Sequence, residues 1–298
     1  MKNPKICLLI LIVVTMSIGT ASCSRTAATS TPMPTLAPGG YQRTLMVKEQ
    51  SRSYLLYVPP HLDSSRPVPV VFGFHGYTSN GASFRDVTGF NAIADTNGIL
   101  AVYPQGEGGD HSWNAGGCCA GARTADLGDV AYIRQIISDL KMIANIDPKR
   151  IYATGHSNGA MFVYRLACEM SDTFAAIAPV AGPLFYSPCK PKEPVSVMHV
   201  HGLADPAVPY AGGPSGYPGL VFPSVDESIA AWAKLDGCTG EAQVEMLGSV
   251  THTAYISCKA GTAVELYAIE GLGHIWPQPD VWPASETIWE FFAAHPKP

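Results

Sequence analysis

Three residues far apart in the chain have the types that acyl-transfer chemistry needs. Gly155-His156-Ser157-Asn158-Gly159 matches the pattern G-x-S-x-G. It follows the apolar run Ile151–Thr154 and precedes a segment, 158–170, whose apolar residues recur at helical spacing. A strand that turns tightly into a helix forces strained backbone angles on the serine, and the turn closes only if the flanking positions carry no side chain. The serine then stands over the positive end of the helix. Its hydroxyl is a weak nucleophile, so it needs a base to take its proton and a carboxylate to orient that base. A glycine-rich turn without chemistry would need neither partner.

The histidines after Ser157 are His199, His201, His252, His274 and His295. His199 and His201 fall on an apolar, strand-like run and read as satisfied core or strand-end residues. His252 lies in a polar stretch, and His295 is close to the end of the sequence. His274, in Gly271-Leu272-Gly273-His274-Ile275-Trp276-Pro277, follows the final apolar run in a glycine-rich loop, which suits a mobile base. For the acid, Asp205 lies just past the run ending at His201, and Pro206 keeps a helix from starting there. Asp226, Glu227 and Asp236 sit on or beside an amphipathic segment and read as solvated. The order serine, acid, base is the one expected of a serine on a strand–turn–helix. The negative charge that develops on an attacked carbonyl needs two fixed N–H donors. The amide of Asn158 is one candidate. The amide of Tyr77, after Phe74-His75-Gly76, is the other.

These side chains need elements to hold them. Residues 41–47 and 53–58 alternate apolar and polar and predict an antiparallel pair. Near-continuous apolar runs at Val68–Phe74, Ile99–Tyr103, Ile151–Thr154 and Val195–Val200 predict buried parallel strands, with shorter runs at Ala175–Val180 and Val264–Ile269. Helical patterns fall between them at 129–145, 158–170, 224–235 and 285–294. Asp129 is expected as an N-cap or first-turn acid, and Ser285 as the cap of the last helix. Strands alternating with helices predict an α/β fold, a mostly parallel sheet covered on both faces.

Composition bounds the rest. The chain has 298 residues, 47% hydrophobic and 14% charged, with a net charge of −5. Its Lys and Arg are scattered, which argues against a nucleic-acid partner. Residues 1–23 combine a basic start with an apolar run that is short for a membrane span, and read as an export signal. Thr20-Ala21-Ser22-Cys23 resembles a lipobox, with Thr20 where Leu is usual, so Cys23 is the candidate lipid-anchor residue. Residues 24–40, rich in Ser, Thr, Ala and Pro, read as a linker. That leaves 41–298 as one catalytic domain, expected to be a monomer. Cys118, Cys119, Cys168, Cys189, Cys238 and Cys258 remain, and in an exported chain they read as disulfides. Cys238 and Cys258 flank a hairpin-like region and are expected to pair. Strain disfavours a bridge between neighbours, so Cys118 and Cys119 are each expected to reach a partner among Cys168 and Cys189. No spacing of Cys or His suggests a metal site, and the chemistry requires no cofactor.

Seven segments together resemble extracellular esterases of the polyhydroxybutyrate depolymerase and feruloyl esterase group, related to carbohydrate esterase family 1. They are FHGYTSN (74–80), SWNAGGCCAGA (112–122), DVAYI (129–133), RIYATGHSNGAMFVYRLACE (150–169), AAIAPVAG (175–182), HVHGLADPAVPYAGG (199–213) and GLGHIWP (271–277). The resemblance implies an α/β-hydrolase fold with an eight-stranded sheet. It implies Ser157, Asp205 and His274 as a triad and Tyr77 and Asn158 as the oxyanion hole. It also places Trp113, Asn114 and Trp276 near the substrate, although simple packing explains both tryptophans equally well, and it has Cys118 and Cys119 anchoring the loop they share. Tyr77 departs from the smaller residue common at its position. The expected activity is hydrolysis of feruloyl or acetyl esters of plant polysaccharide through an acyl-enzyme. Polyhydroxyalkanoate esters are the alternative. Peptidase activity and a non-catalytic surface binding protein are more distant readings.

Overall fold

The computed structural model describes residues 36–119, 121–122, 127–215 and 219–298. The export signal, Cys23 and most of the expected linker lie outside the described residues. The chain opens with the antiparallel pair β1 (Gly39–Val47) and β2 (Gln50–Val58), so the first strand begins two residues before the expected domain boundary. The strands β3 (Val68–Phe74), β4 (Leu100–Pro104), β5 (Ile146–His156), β6 (Ala176–Val180), β7 (Ser196–Gly202) and β12 (Val264–Ile269) then form a parallel block. β3, β4, β6 and β7 are buried at every residue, which is why their sequences are continuous apolar runs rather than alternating ones.

Among the described residues the sheet has ten strands, in the order β1-β2-β4-β3-β5-β6-β7-β12-β11-β10, where eight were expected. The extra two are the hairpin β10 (Gln243–Leu247) and β11 (Val250–Tyr255), which pairs antiparallel with the outer edge of β12. Cys238–Cys258 closes the segment that contains this hairpin. A separate two-stranded ribbon joins β8 (Gly213–Pro214) to β9 (Val221–Phe222).

Among the described residues, six helices cover the two faces. Helices α1 (Gly81–Thr88), α2 (Phe90–Asn97) and α6 (Ala284–Ala294) place Phe84, Phe90 and Ile288 in one apolar cluster. Helices α3 (Asp129–Ile143), α4 (Asn158–Glu169) and α5 (Val225–Leu235) place Ile133, Phe162 and Ile229 in the other. Each fully buried aliphatic or aromatic side chain contributes about 1.5–3 kcal/mol, so the two clusters dominate stability. Ser224 caps α5 with a reciprocal Glu227 box. Ser285 does not cap α6. It lies inside the first turn, where its hydroxyl donates to the Thr88 carbonyl at 2.6 Å and accepts from the Trp276 indole at 3.1 Å.

The disulfides correct one expectation. Cys168, at the end of α4, pairs with Cys189, so neither is left for the adjacent cysteines, and Cys118 pairs with Cys119. The 113–119 loop is therefore not anchored by a bridge to a distant segment. The bridges Cys168–Cys189 and Cys238–Cys258 span 21 and 20 residues. Closing loops of that size stabilises by about 3 kcal/mol each in the chain-entropy account.

Candidate active site

Ser157 sits between β5 and α4 with φ 57° and ψ −120°, a strained conformation for a residue with a side chain. The flanking glycines explain how the turn closes. A Cβ at Gly159 would meet the Phe74 and His75 carbonyl oxygens at 2.3 and 2.5 Å, and one at Gly155 would meet the Gly159 backbone at 2.7 Å. The Ser157 amide is held by the Val180 carbonyl at 2.9 Å, so β6 fixes the turn from the other side.

The partners expected from the sequence meet at this serine. His274 Nε2 lies 2.9 Å from Ser157 Oγ, and His274 Nδ1 lies 2.7 Å from Asp205 Oδ2. Asp205 follows β7 and is buried, and its Oδ1 accepts the Ala207 and Val208 amides at 2.9 and 2.8 Å. Burial pushes the Asp205 carboxyl up. Hydrogen bonds from His201, His274 and the Val208 amide outweigh that and hold it well below the usual carboxylate range. The carboxylate is thus an ionised acceptor that fixes one tautomer of His274, leaving Nε2 free to take the serine proton.

The other histidines have different duties. His252, on β11, contacts Glu265 at 3.1 Å and stacks on Tyr267, and His295 is held at the Phe291 carbonyl. His199 and His201 are buried as expected, but they extend the acid. His201 Nε2 lies 2.9 Å from the Val208 carbonyl and 3.4 Å from Asp205 Oδ2, and its Nδ1 lies 3.1 Å from His199 Nε2. His199 Nδ1 in turn accepts from the Tyr164 hydroxyl at 2.9 Å. The spacing His-x-His-x-x-x-Asp was the available signal, since two residues on a strand share a face and aim at the loop that follows.

A cavity of about 510 Å³ opens beside Ser157 and His274. Phe84, Val87 and Trp276 give it apolar walls, Ser79, Ser83 and Gln278 give it polar points, and Tyr77 lines it too. Trp276 meets Phe84 edge-on at 5.4 Å. Trp113 does not line the cavity. It is fully buried, its indole stacked on Phe162 of α4 at 5.1 Å and set edge-on to Phe74 of β3. Asn114 does not line it either. Its side-chain Oδ1 accepts the Gly116 amide at 3.0 Å, while its backbone amide donates to Asp129 and its backbone carbonyl accepts from Arg165, each at 2.8 Å. Asn158 opens α4, where the first amides have no partner within the helix, and Tyr77 follows β3 at the same sheet edge.

Comparison with known proteins adds the family. The profile of the esterase PHB depolymerase family matches residues 52–254. The chain belongs to that family. It is 30% identical over 234 residues to feruloyl esterase B of Piromyces equi, an alignment covering 75% of this chain and 42% of that protein. It is 29% identical over 248 residues to poly(3-hydroxyalkanoate) depolymerase C of Paucimonas lemoignei, covering 73% and 58%. The chain therefore spans about half the length of these curated relatives. Among solved structures, the acetyl xylan esterase from Aspergillus awamori superposes with a TM-score of 0.63 at 17% identity, covering 86% of this chain and 99% of that one. At that identity the likeness speaks to the fold, an α/β-hydrolase sheet with helices on both faces.

Proposed function

We propose that this esterase-family chain is an exported serine hydrolase that cleaves carboxylic esters through an acyl-enzyme, with hydroxycinnamoyl esters of plant polysaccharide as its main substrates. The observation that carries the reading is the unbroken set of hydrogen bonds from Asp205 through His274 to Ser157, beside an open cavity. His274 Nε2 takes the Ser157 proton as Oγ bonds to the ester carbonyl carbon. The carbonyl electron pair moves onto its oxygen, which the Tyr77 and Asn158 amides hold. The C–O bond to the alcohol breaks, and the alcohol leaves with the proton from His274. Water then gives its proton to His274 and its oxygen to the acyl carbon, releasing the acid and regenerating Ser157.

The cavity supports an aromatic acyl group over a bare acetyl group. A planar hydroxycinnamoyl group would lie against Phe84, Val87 and Trp276, and the hydroxyl its ring bears would reach the polar groups of Ser79, Ser83 or Gln278. Acetyl esters would fit without filling it. Polyhydroxyalkanoate esters are the second reading, favoured by the 29% identity to a depolymerase of that class. Disulfides at Cys168–Cys189 and Cys238–Cys258 support export.

The test compares wild type with Ser157→Ala on p-nitrophenyl acetate, then compares methyl ferulate, acetylated xylan and a hydroxybutyrate oligomer on wild type. Ser157→Ala should lose about 10⁴-fold or more in kcat. Methyl ferulate should give the highest kcat/KM of the three. Equal rates for Ser157→Ala and wild type would overturn the triad, and a preference for the oligomer would move the substrate to the second reading.

A further inference from the structure

The two amides read as the oxyanion hole come from separate elements. Tyr77 follows β3, whereas Asn158 begins α4. Their spacing must hold to within tenths of an ångström, because the hole stabilises a transition state only when both donors lie about 2.7–3.1 Å from the oxyanion. Trp113 spans the gap between them. Its indole Nε1 donates to the carbonyl of His75, two residues before Tyr77, at 2.9 Å. Its backbone amide donates to Asn158 Oδ1 at 2.7 Å, and its carbonyl accepts from Asn158 Nδ2 at 3.0 Å. Both ends of the Asn158 side chain are thus closed onto one residue, which also grips the other loop.

Packing makes this contact stiff. The Trp113 ring stacks on Phe162 of α4 and meets Phe74 of β3 edge-on at 5.2 Å, so its surfaces as well as its hydrogen bonds bridge the two elements. The next residue is tied down as well. The Asn114 amide donates to Asp129, whose other carboxylate oxygen accepts from buried Arg52 at 3.0 Å, and Arg165 of α4 donates to the Asn114 carbonyl. A buried indole N–H requires an acceptor, and here the acceptor is the loop that delivers Tyr77.

We propose that Trp113 is a positioning residue that sets the spacing of the two oxyanion-hole amides. This rests on the reading of Tyr77 and Asn158 as that hole. Because Trp113 is buried away from the cavity, it acts on the transition state without touching the substrate.

The test uses Trp113→Phe, which keeps an aromatic ring between Phe162 and Phe74 and removes the N–H bond to His75 together with part of the indole's volume. Asn158→Ala, which keeps the backbone amide and removes the two bonds to Trp113, is made alongside it. Each is assayed on p-nitrophenyl acetate and for inhibition by phenylboronic acid. In the inhibited enzyme Ser157 Oγ bonds to boron, its proton passes to His274, and the tetrahedral anion mimics the oxyanion. Both variants should lower kcat by about 10- to 100-fold, a displaced donor costing less than a deleted one. KM should stay within about twofold, and the inhibition constant should rise by the factor that kcat/KM falls. The acid limb of the pH profile should not move, because the Asp205–His274 contact is untouched. The double variant should lose no more than the worse single one, as expected for residues acting as a unit. Wild-type behaviour in Trp113→Phe would overturn the proposal, as would a raised KM at unchanged kcat, or a lowered kcat with an unchanged inhibition constant. If wild type itself is not inhibited by phenylboronic acid and Ser157→Ala is as active as wild type, the reading of the site has failed rather than the role of Trp113.

Discussion

At the scale of the residue, Asp205 shows how much structure one carboxylate needs. A buried negative charge costs several kcal/mol unless hydrogen bonds replace its water. Here two backbone amides take one oxygen and His274 takes the other. The Val208 carbonyl can only accept, so His201 carries its proton on Nε2, its Nδ1 accepts from His199, and His199 accepts from Tyr164. The donors in that buried chain run from Tyr164 to His201, whose Nε2–H ends at the Val208 carbonyl beside Asp205. Replacing Asp205 with Asn keeps the shape but removes the charge, and an amide N–H can displace the His274 proton onto the wrong nitrogen. We expect Asp205→Asn to lose about 10³- to 10⁴-fold in kcat with its circular dichroism unchanged. Activity within tenfold of wild type would show that His274 is oriented by something else.

At the scale of the element, α1 is the piece that gives the site its wall. It carries Ser83, Phe84 and Val87 to the cavity, and its start is fixed by Asn80, whose Oδ1 accepts the Ser83 amide at 2.9 Å. Asn80 is exposed and does not line the cavity, so Asn80→Ala isolates the cap. Losing such a cap costs about 1 kcal/mol, or roughly 2–4 °C in Tm for a domain of this size. KM for methyl ferulate should rise severalfold as the wall frays, while kcat on p-nitrophenyl acetate changes little; an unchanged KM would detach α1 from substrate binding. This helix was not legible in the sequence. GASFRDVT mixes apolar, polar and glycine residues without a clear period, and the Asn80 cap alone does not announce eight residues. The parallel strands were legible because burial on both faces demands unbroken apolar runs. Val68–Phe74 and Val264–Ile269 fall where the sequence places them, and the Ile151–Thr154 run extends to Ile146–His156. The hairpin that widens the sheet carries an exposed strand, β10, whose residues need not be apolar. Trp113 was visible as a residue of interest, yet whether a tryptophan faces substrate or core depends on the fold of its loop, which spacing does not encode.

At the scale of the whole molecule, the fold keeps several histidines neutral in its interior. Burial pushes His75 down to about 4 and His156 down to about 3, the latter helped by neighbouring His274, and it holds His199 well below the ordinary histidine value. His156 lines the cavity with its Nε2 buried and without a hydrogen-bond partner among the described residues, so only the charge of Asp205 favours its charged form, and burial outweighs it. Unfolding returns all three to an ordinary pKa of about 6.5. A histidine depressed in the folded state gives stability that is fully present above about pH 6.5 and is lost as pH falls toward its folded value. Asp236 works the other way. Burial pushes its carboxyl up to about 7, so between about pH 4 and 7 the folded state holds one proton that the unfolded state has released. Three protons gained on unfolding less one lost leaves about two. Near pH 5 stability should therefore fall steeply as the solution is acidified, with a slope set by about two protons. Denaturant unfolding at intervals from pH 7 to 4.5 measures that slope directly. His156→Leu removes one of the three histidines and should lower the slope by about one proton, roughly half, whatever it does to absolute stability or to activity. A flat wild-type profile, or an unchanged slope in His156→Leu, would mean that these rings are solvated and charged in the folded protein.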